Sequence, residues 1–274
     1  MGLRRRGNRR GGLSGRIWRI GLYVWCSLVF FFLMMPLLIV FPISFSSSAY
    51  LQFPPPGWSL RWYLAYLDDP VWIASTLRSL KVAVTAMLLA TVLGTLLAFS
   101  LVRGRYPGKE VVDQVAAAPL IVPTIIYSVA VYGLFARLQL IGDWRGIALG
   151  HTVHAIPYVV VVVGAALRTY DVSLEHAAMS LGASRLRAVW RVTLPQIRPA
   201  LLSAMFLAFV SSFDELVIAM FLGGSNMTLP KKMFDNIMNA IDPTIAAVSV
   251  LQILLVSVGL LLASRFGAGV KPLD

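Results

Sequence analysis

Six apolar runs, each close to the length needed to cross a bilayer, constrain this chain more than any other feature of its sequence. They lie at about 20–43, 82–102, 111–136, 146–167, 200–222 and 244–263. A membrane helix needs about 20 mainly apolar residues. Inside lipid the backbone finds no water, so each run must close its own hydrogen bonds as helix. Charged residues make up only 13% of the chain, against about 25% in soluble domains. The sequence therefore predicts an all-α integral membrane protein. One domain of six transmembrane helices spans 20–265, with a basic tail at 1–19 and a short tail at 266–274.

The first run follows a leader containing Arg4, Arg5, Arg6, Arg9 and Arg10. Its length, about 24 residues, exceeds that of a secretory h-region, and no small-residue cleavage site follows. It is expected to be a retained helix, kinked or ended by Pro36 and Pro42. The N-terminal tail, the 103–109 and 168–198 loops and the stretch after residue 263 hold 7, 3, 5 and 2 Lys and Arg in chain order, and the three opposite segments hold 3, 2 and 2. That is 17 against 7, which places the richer side and both termini in the cytoplasm.

The net charge is +12. The positive residues cluster at the edges of apolar runs, which suits anionic lipid headgroups. No basic stripe with interleaved aromatics supports nucleic-acid binding. Cys26 is the only cysteine, so it forms no intrachain disulfide and belongs to no cysteine metal cluster; it is expected to face lipid or a packing surface.

The segment from residue 44 to 70 should lie outside, turning at Pro54-Pro55-Pro56-Gly57. Trp58, Trp62, Tyr63 and Tyr66 follow. They suit either an interfacial aromatic belt or a surface for an external partner.

The loop at 171–195 carries the most information. Asp171 or Ser173 can cap a first short helix, and Glu175 sits in its first turn. Gly182 can end that helix in a left-handed conformation. Ser184 can cap a second helix, which Pro195 should stop before the fifth span. Ala177 and Ala178 are small enough for another protein to approach closely. The same chemistry also suits an amphipathic connector on the membrane surface.

This loop resembles the cytoplasmic signature of inner-membrane permeases of binding-protein-dependent ABC importers. That signature reads Glu-Ala-Ala, three residues, Gly, nine residues, Ile, one residue, Leu-Pro. Ala177, Ala178, Gly182, Val192, Leu194 and Pro195 match it, Val192 standing for the isoleucine. His176 stands at the glutamate position, and Glu175 falls one residue early. The stretch from Phe53 to Tyr63, and Ser212 to Ala219 followed by Thr228-Leu229-Pro230, are similar to the spermidine/putrescine, PotC-like branch.

The resemblance implies a type I ABC importer permease (MetI-like) fold and a polyamine or similar small cation as solute. Relatives carry aminoethylphosphonate or iron. It also implies two copies of an ATP-binding subunit, a related second permease and a periplasmic solute-binding protein. The site would be the bacterial inner membrane. The ATPase-coupling residues it implies are Glu175, His176, Ala177, Ala178, Gly182, Ala183, Leu194 and Pro195.

Asp214 and Glu215 lie in the fifth apolar run, where an ionised side chain costs about 2.5–3.5 kcal/mol on insertion scales. With Tyr127 they are candidates for the substrate pathway, where carboxylates would attract an amine. They would equally serve as an interhelical lock with a basic residue of a partner permease. His151 and His154, three apart on the fourth run, make a poor metal site alone and suit structural hydrogen bonding. Pro119, Pro123 and Pro157 free backbone groups within the spans, as kinks lining cavities do.

No HExxH or GxSxG motif supports a membrane enzyme. A stand-alone channel or secondary transporter could use the acids but leaves the structured loop without a role. GxxxxGK[ST] is missing, since Glu110 follows Lys109. The chain is thus expected to hold no cofactor, with ATP and Mg bound by the partner ATPase.

Overall fold

A computed structural model gives the fold. It describes residues 12–239 and 241–267, so most of the basic leader and the last seven residues lie outside the described residues. The described residues form helices joined by turns, with one isolated bridge, Ser46 to Trp58, and no strand. In chain order the helices are α1 (Gly12–Ser44), α2 (Arg61–Asp68), α3 (Pro70–Arg103), α4 (Lys109–Ile121), α5 (Thr124–Arg137) and α6 (Trp144–Thr169). They continue as α7 (Ser173–Ser180), α8 (Arg185–Ala188), a π turn at Val189–Thr193, α9 (Leu194–Gln196), α10 (Arg198–Phe213), α11 (Val217–Leu222), α12 (Leu229–Asn239) and α13 (Thr244–Gly267).

Four helices are long and apolar enough to cross a membrane: α1, α3, α6 and α13. Two bent pairs, α4 with α5 at 110° and the α8–α9 stretch with α10 at 73°, raise that number to as many as six if each pair counts as one span. The third expected span is thus not straight. Pro123 is the reason: it lacks an N–H and disfavours helical backbone at the residue before it. Val122 is accordingly extended, at φ −74° and ψ 127°. α1 passes through Pro36 and closes two residues beyond Pro42.

The centre is built where α3, α6 and α10 meet. Ala86, Ala90, Gly94 and Ala98, spaced four apart, form one buried stripe on α3. Ala204, Ala208 and Ser212 form another on α10. Small residues let helix axes approach closely, the ordinary packing device where lipid removes the hydrophobic drive between helices. A Cβ on Gly94 would stand 2.7 Å from Val159 Cβ, so glycine is required there. Val159, Val163 and Leu167 of α6 fill the space between the two stripes.

The end opposite Arg103 carries the segment expected outside. Ser47 N donates to Gly57 O (2.9 Å) and Ser59 N to Phe45 O (2.7 Å), closing the proline-rich turn. Of the four aromatics there, Trp58 is exposed, but Trp62 and Tyr66 are buried. Tyr66 packs with Trp72, Phe213 and Leu229, so this pair is core and not a belt. Tyr63 meets the end of α1 through a 2.8 Å hydrogen bond with Ser44 Oγ. The apolar face of α1 is uncovered, and Cys26 is exposed on it.

Candidate functional site

Two groups of residues stand out, one at each level of the bundle. The first is the loop joining α6 to α10. Its first helix begins at Ser173 with Val172 in the capping position, not Asp171 or Ser173. Asp171 still helps, since its carboxylate accepts from Ser173 N at 2.9 Å. That bond holds the exposed Asp171 carboxyl below its usual pKa.

α7 ends as the sequence predicts: Gly182 has φ +90°. Gly182 N donates to Met179 O (2.9 Å) and Ala183 N to Ala178 O (3.1 Å), satisfying the last carbonyls. Ser184 Oγ accepts from Arg187 N at 3.4 Å and starts α8. Pro195 does not stop the chain there. The helix widens into the π turn and continues as α9, where Pro195 occupies the first turn and its missing N–H costs nothing. The direction changes at Ile197 instead, at φ −87° and ψ 6°.

Glu175 is the one buried residue of α7, 5% exposed. Its Oε1 accepts from Arg103 Nη1 at 2.5 Å and from the Thr193 hydroxyl. Burial alone would raise its pKa. The hydrogen bonds from Thr193 and Arg103, with the charges of Arg103 and Arg185, overcome that and hold the carboxyl below the ordinary glutamate range. His176 and Ala177 are exposed, Ala178, Ala183 and Leu194 half-buried, and Pro195 exposed. Leu181, Leu186 and Trp190 stand 89%, 68% and 65% exposed. The loop thus presents apolar side chains beside arginines and turns the Glu175 carboxylate inward. Sequence reasoning missed Arg103 and Thr193; Arg103 registered only as a topology marker.

The second group surrounds the break between α10 and α11. The expected uninterrupted fifth helix is interrupted here, because Asp214, Glu215 and Leu216 leave the helix. Glu215 Oε1 accepts from Val217 N (2.8 Å) and Ile218 N (3.1 Å), capping α11. Glu215 Oε2 lies 3.8 Å from His154 Nε2. That approach lies within this chain and is longer than a hydrogen bond. The His154 ring lies 6.1 Å from both Tyr127 and Tyr158. Tyr127 donates to Gly150 O at 2.8 Å, and His151 Nδ1 meets Ser212 Oγ at 2.8 Å.

Asp214 has different surroundings. It is exposed, and its Oδ1 accepts from Gln252 Nε2 at 3.3 Å. It lines a cavity of about 470 Å³ with Leu37, Phe213, Met233, Ser249 and Gln252. The structure thus joins Tyr127 to Glu215 through His154 and sets Asp214 apart. Among the described residues, no three His, Cys, Asp or Glu are grouped to hold a metal.

Residues 90–272 match the family described as binding-protein-dependent transport system inner membrane component. The chain is 38% identical over 242 residues to the putrescine transport system permease protein PotI of Escherichia coli (strain K12), covering 85% of each. It is 28% identical over 255 residues to the spermidine/putrescine transport system permease protein PotC of the same strain, covering 92% of this chain and 94% of that one. A chain of a bacterial ABC transporter that imports the acidic polysaccharide alginate superposes with a TM-score of 0.71 at 20% identity, covering 93% of this chain and 98% of that one. A chain of the MetNI methionine ABC transporter superposes at 0.62, also at 20% identity, over 73% and 95%.

Proposed function

This chain belongs to the family of binding-protein-dependent transport system inner membrane components, and from that membership we propose that it forms half of a pathway for a polyamine such as putrescine. It is a multi-pass ABC importer permease, a transport subunit and not an enzyme. In our proposal a related second permease supplies the other half of the pathway. Two ATP-binding subunits, holding ATP and Mg, dock on the 171–195 loop, and a periplasmic binding protein delivers solute at the opposite end. The membrane is the bacterial inner membrane, with both termini in the cytoplasm, as the excess of Lys and Arg at the loop end favours.

One observation carries the docking reading. Leu181, Leu186 and Trp190 are exposed on a loop whose helix–Gly182–helix shape is well hydrogen-bonded. Large apolar side chains set among arginines suit a protein partner. Glu175, His176, Ala177, Ala178, Gly182, Ala183, Leu194 and Pro195 then form or support that surface.

The names of the relatives support the polyamine, and so do the acids. Asp214 is unpaired by any basic group among the described residues and opens to a cavity, and Glu215 and Tyr127 flank His154 at the same break. A carboxylate there would stabilise an ammonium group. The test is the full complex in proteoliposomes with its own binding protein and labelled putrescine. ATP-dependent uptake that vanishes without the ATPase is expected. Uptake by this chain alone, or ATPase that fails to co-purify with the permease pair, would overturn the reading.

A further inference from the structure

Arg103, the last residue of α3, has so far no role beyond its charge, yet several contacts converge on it. Its Nη1 donates to Glu175 Oε1 across 72 residues of chain. The same oxygen accepts from Thr193, at the end of the π turn that leads toward α10. The guanidinium also lies over the rings of Phe99 and Tyr170, at 5.1 and 5.5 Å. Tyr170 is the residue that ends α6. One carboxylate oxygen and one guanidinium therefore join the first loop helix to the end of α3, the end of α6 and the approach to α10.

Little else holds α7. Apart from Glu175, its side chains are exposed or only half-buried. A helix of eight residues is too short to persist in water without tertiary support. A buried ion pair adds little net stability but can fix geometry; here Arg103 bonds through Nη1 alone, with Nε and Nη2 buried and without a hydrogen-bond partner among the described residues. Thr193 is fully buried, so the node is shielded on that side from water that would otherwise compete for the carboxylate.

We infer that Glu175 and Arg103 are positioning residues that make α7, the end of α3 and the approach to α10 move as one body. A displacement imposed on α7 is then delivered to two of the three helices at the centre of the bundle. Without the pair, α7 swings on its connections and the displacement is spent within the loop. This inference rests on the ATPase docking proposed above.

Removing one partner strands a buried charge and destabilises the fold for that reason alone, whereas removing both strands none. The variants are Glu175→Gln, Arg103→Gln and the double substitution, each in the complete reconstituted complex with its binding protein and putrescine. Thermal unfolding, ATP hydrolysis and uptake are measured together. The single variants should unfold earlier and take up less putrescine per ATP. The double variant should regain thermal stability while uptake per ATP stays at least about fivefold below wild type, the low end of ordinary coupling between sites. Should the double glutamine variant remain unstable, Arg103→Met with Glu175→Leu replaces the pair by apolar groups of similar size and takes its place. Wild-type uptake per ATP in either stable double variant overturns the inference alone. Loss of the ATPase from the wild-type complex overturns the docking reading and this inference with it.

Discussion

Substitution of Gly182 isolates backbone conformation from packing more cleanly than any other change in the loop. Gly182 has φ +90°, and a Cβ built on it meets nothing within 4 Å. Any penalty therefore comes from forcing an L side chain into left-handed backbone, and none from a clash. That strain is roughly 1–2 kcal/mol for an ordinary residue and approaches about 3 kcal/mol at the high end of such outliers, where a β-branched residue belongs. Since about 1.4 kcal/mol is tenfold, Gly182→Ala should weaken ATPase binding about fivefold and Gly182→Val about a hundredfold. Gly182→Asn should weaken it least, because asparagine visits this region. The assay is titration of the ATPase onto the purified permease pair in detergent, with thermal unfolding of the pair measured alongside. Unfolding should barely change, because the α3–α6–α10 centre does not touch Gly182. Equal binding by the valine variant and wild type would refute the strain argument, as would an asparagine variant as weak as the valine one.

Gly94→Ala should lower the yield and thermal stability of the permease, since its Cβ would stand 2.7 Å from Val159 Cβ and 3.2 Å from Ile156 O; size-exclusion recovery and a melting curve measure this. Glu215→Gln should lower thermal stability by weakening the charged acceptor for Val217 N and Ile218 N at the start of α11, while Asp214→Asn should assemble normally and take up putrescine poorly with ATP hydrolysis still responsive to the binding protein. Normal assembly and uptake by both variants would remove the acids from the pathway. The depressed pKa of Glu175 means its contribution is fully present above the ordinary glutamate range and is lost only as pH falls through the depressed value. Loop protection in hydrogen exchange should therefore survive mild acid and fail below it, and Glu175→Gln should abolish that dependence.

The apolar helices were legible because apolar length is a local property, and so was the turn at Gly182, where residue type and position agree. The breaks were less so. Pro123 was visible, but the apolar run on either side of it is continuous, and nothing local distinguishes a kink from a 110° bend. Asp214 and Glu215 looked like a pair inside one helix. Their separation depends on His154 and Gln252, on two other helices. Glu175 looked like a first-turn acid displaced from its motif. Its burial depends on Arg103 and Thr193, which no local pattern connects to it. The helix α12 lies in a stretch expected only to loop between spans, and its Leu229 packs with Trp72 and Phe213.

The late-made neighbour of α1 bears on how the chain is assembled. α1 packs against α13, and between Ser44 and Thr244 lie 199 residues. At the ordinary pace of about 5–20 residues per second, the ribosome needs roughly 10–40 s to cover that distance. For that interval α1 is without its α13 neighbour. Its Ser44 can meanwhile find Tyr63, synthesised about a second or a few seconds later at the same pace. That hydrogen bond would tether the far end of α1 while most of the later helices are still to be synthesised, leaving the helix to swing into place when α13 arrives.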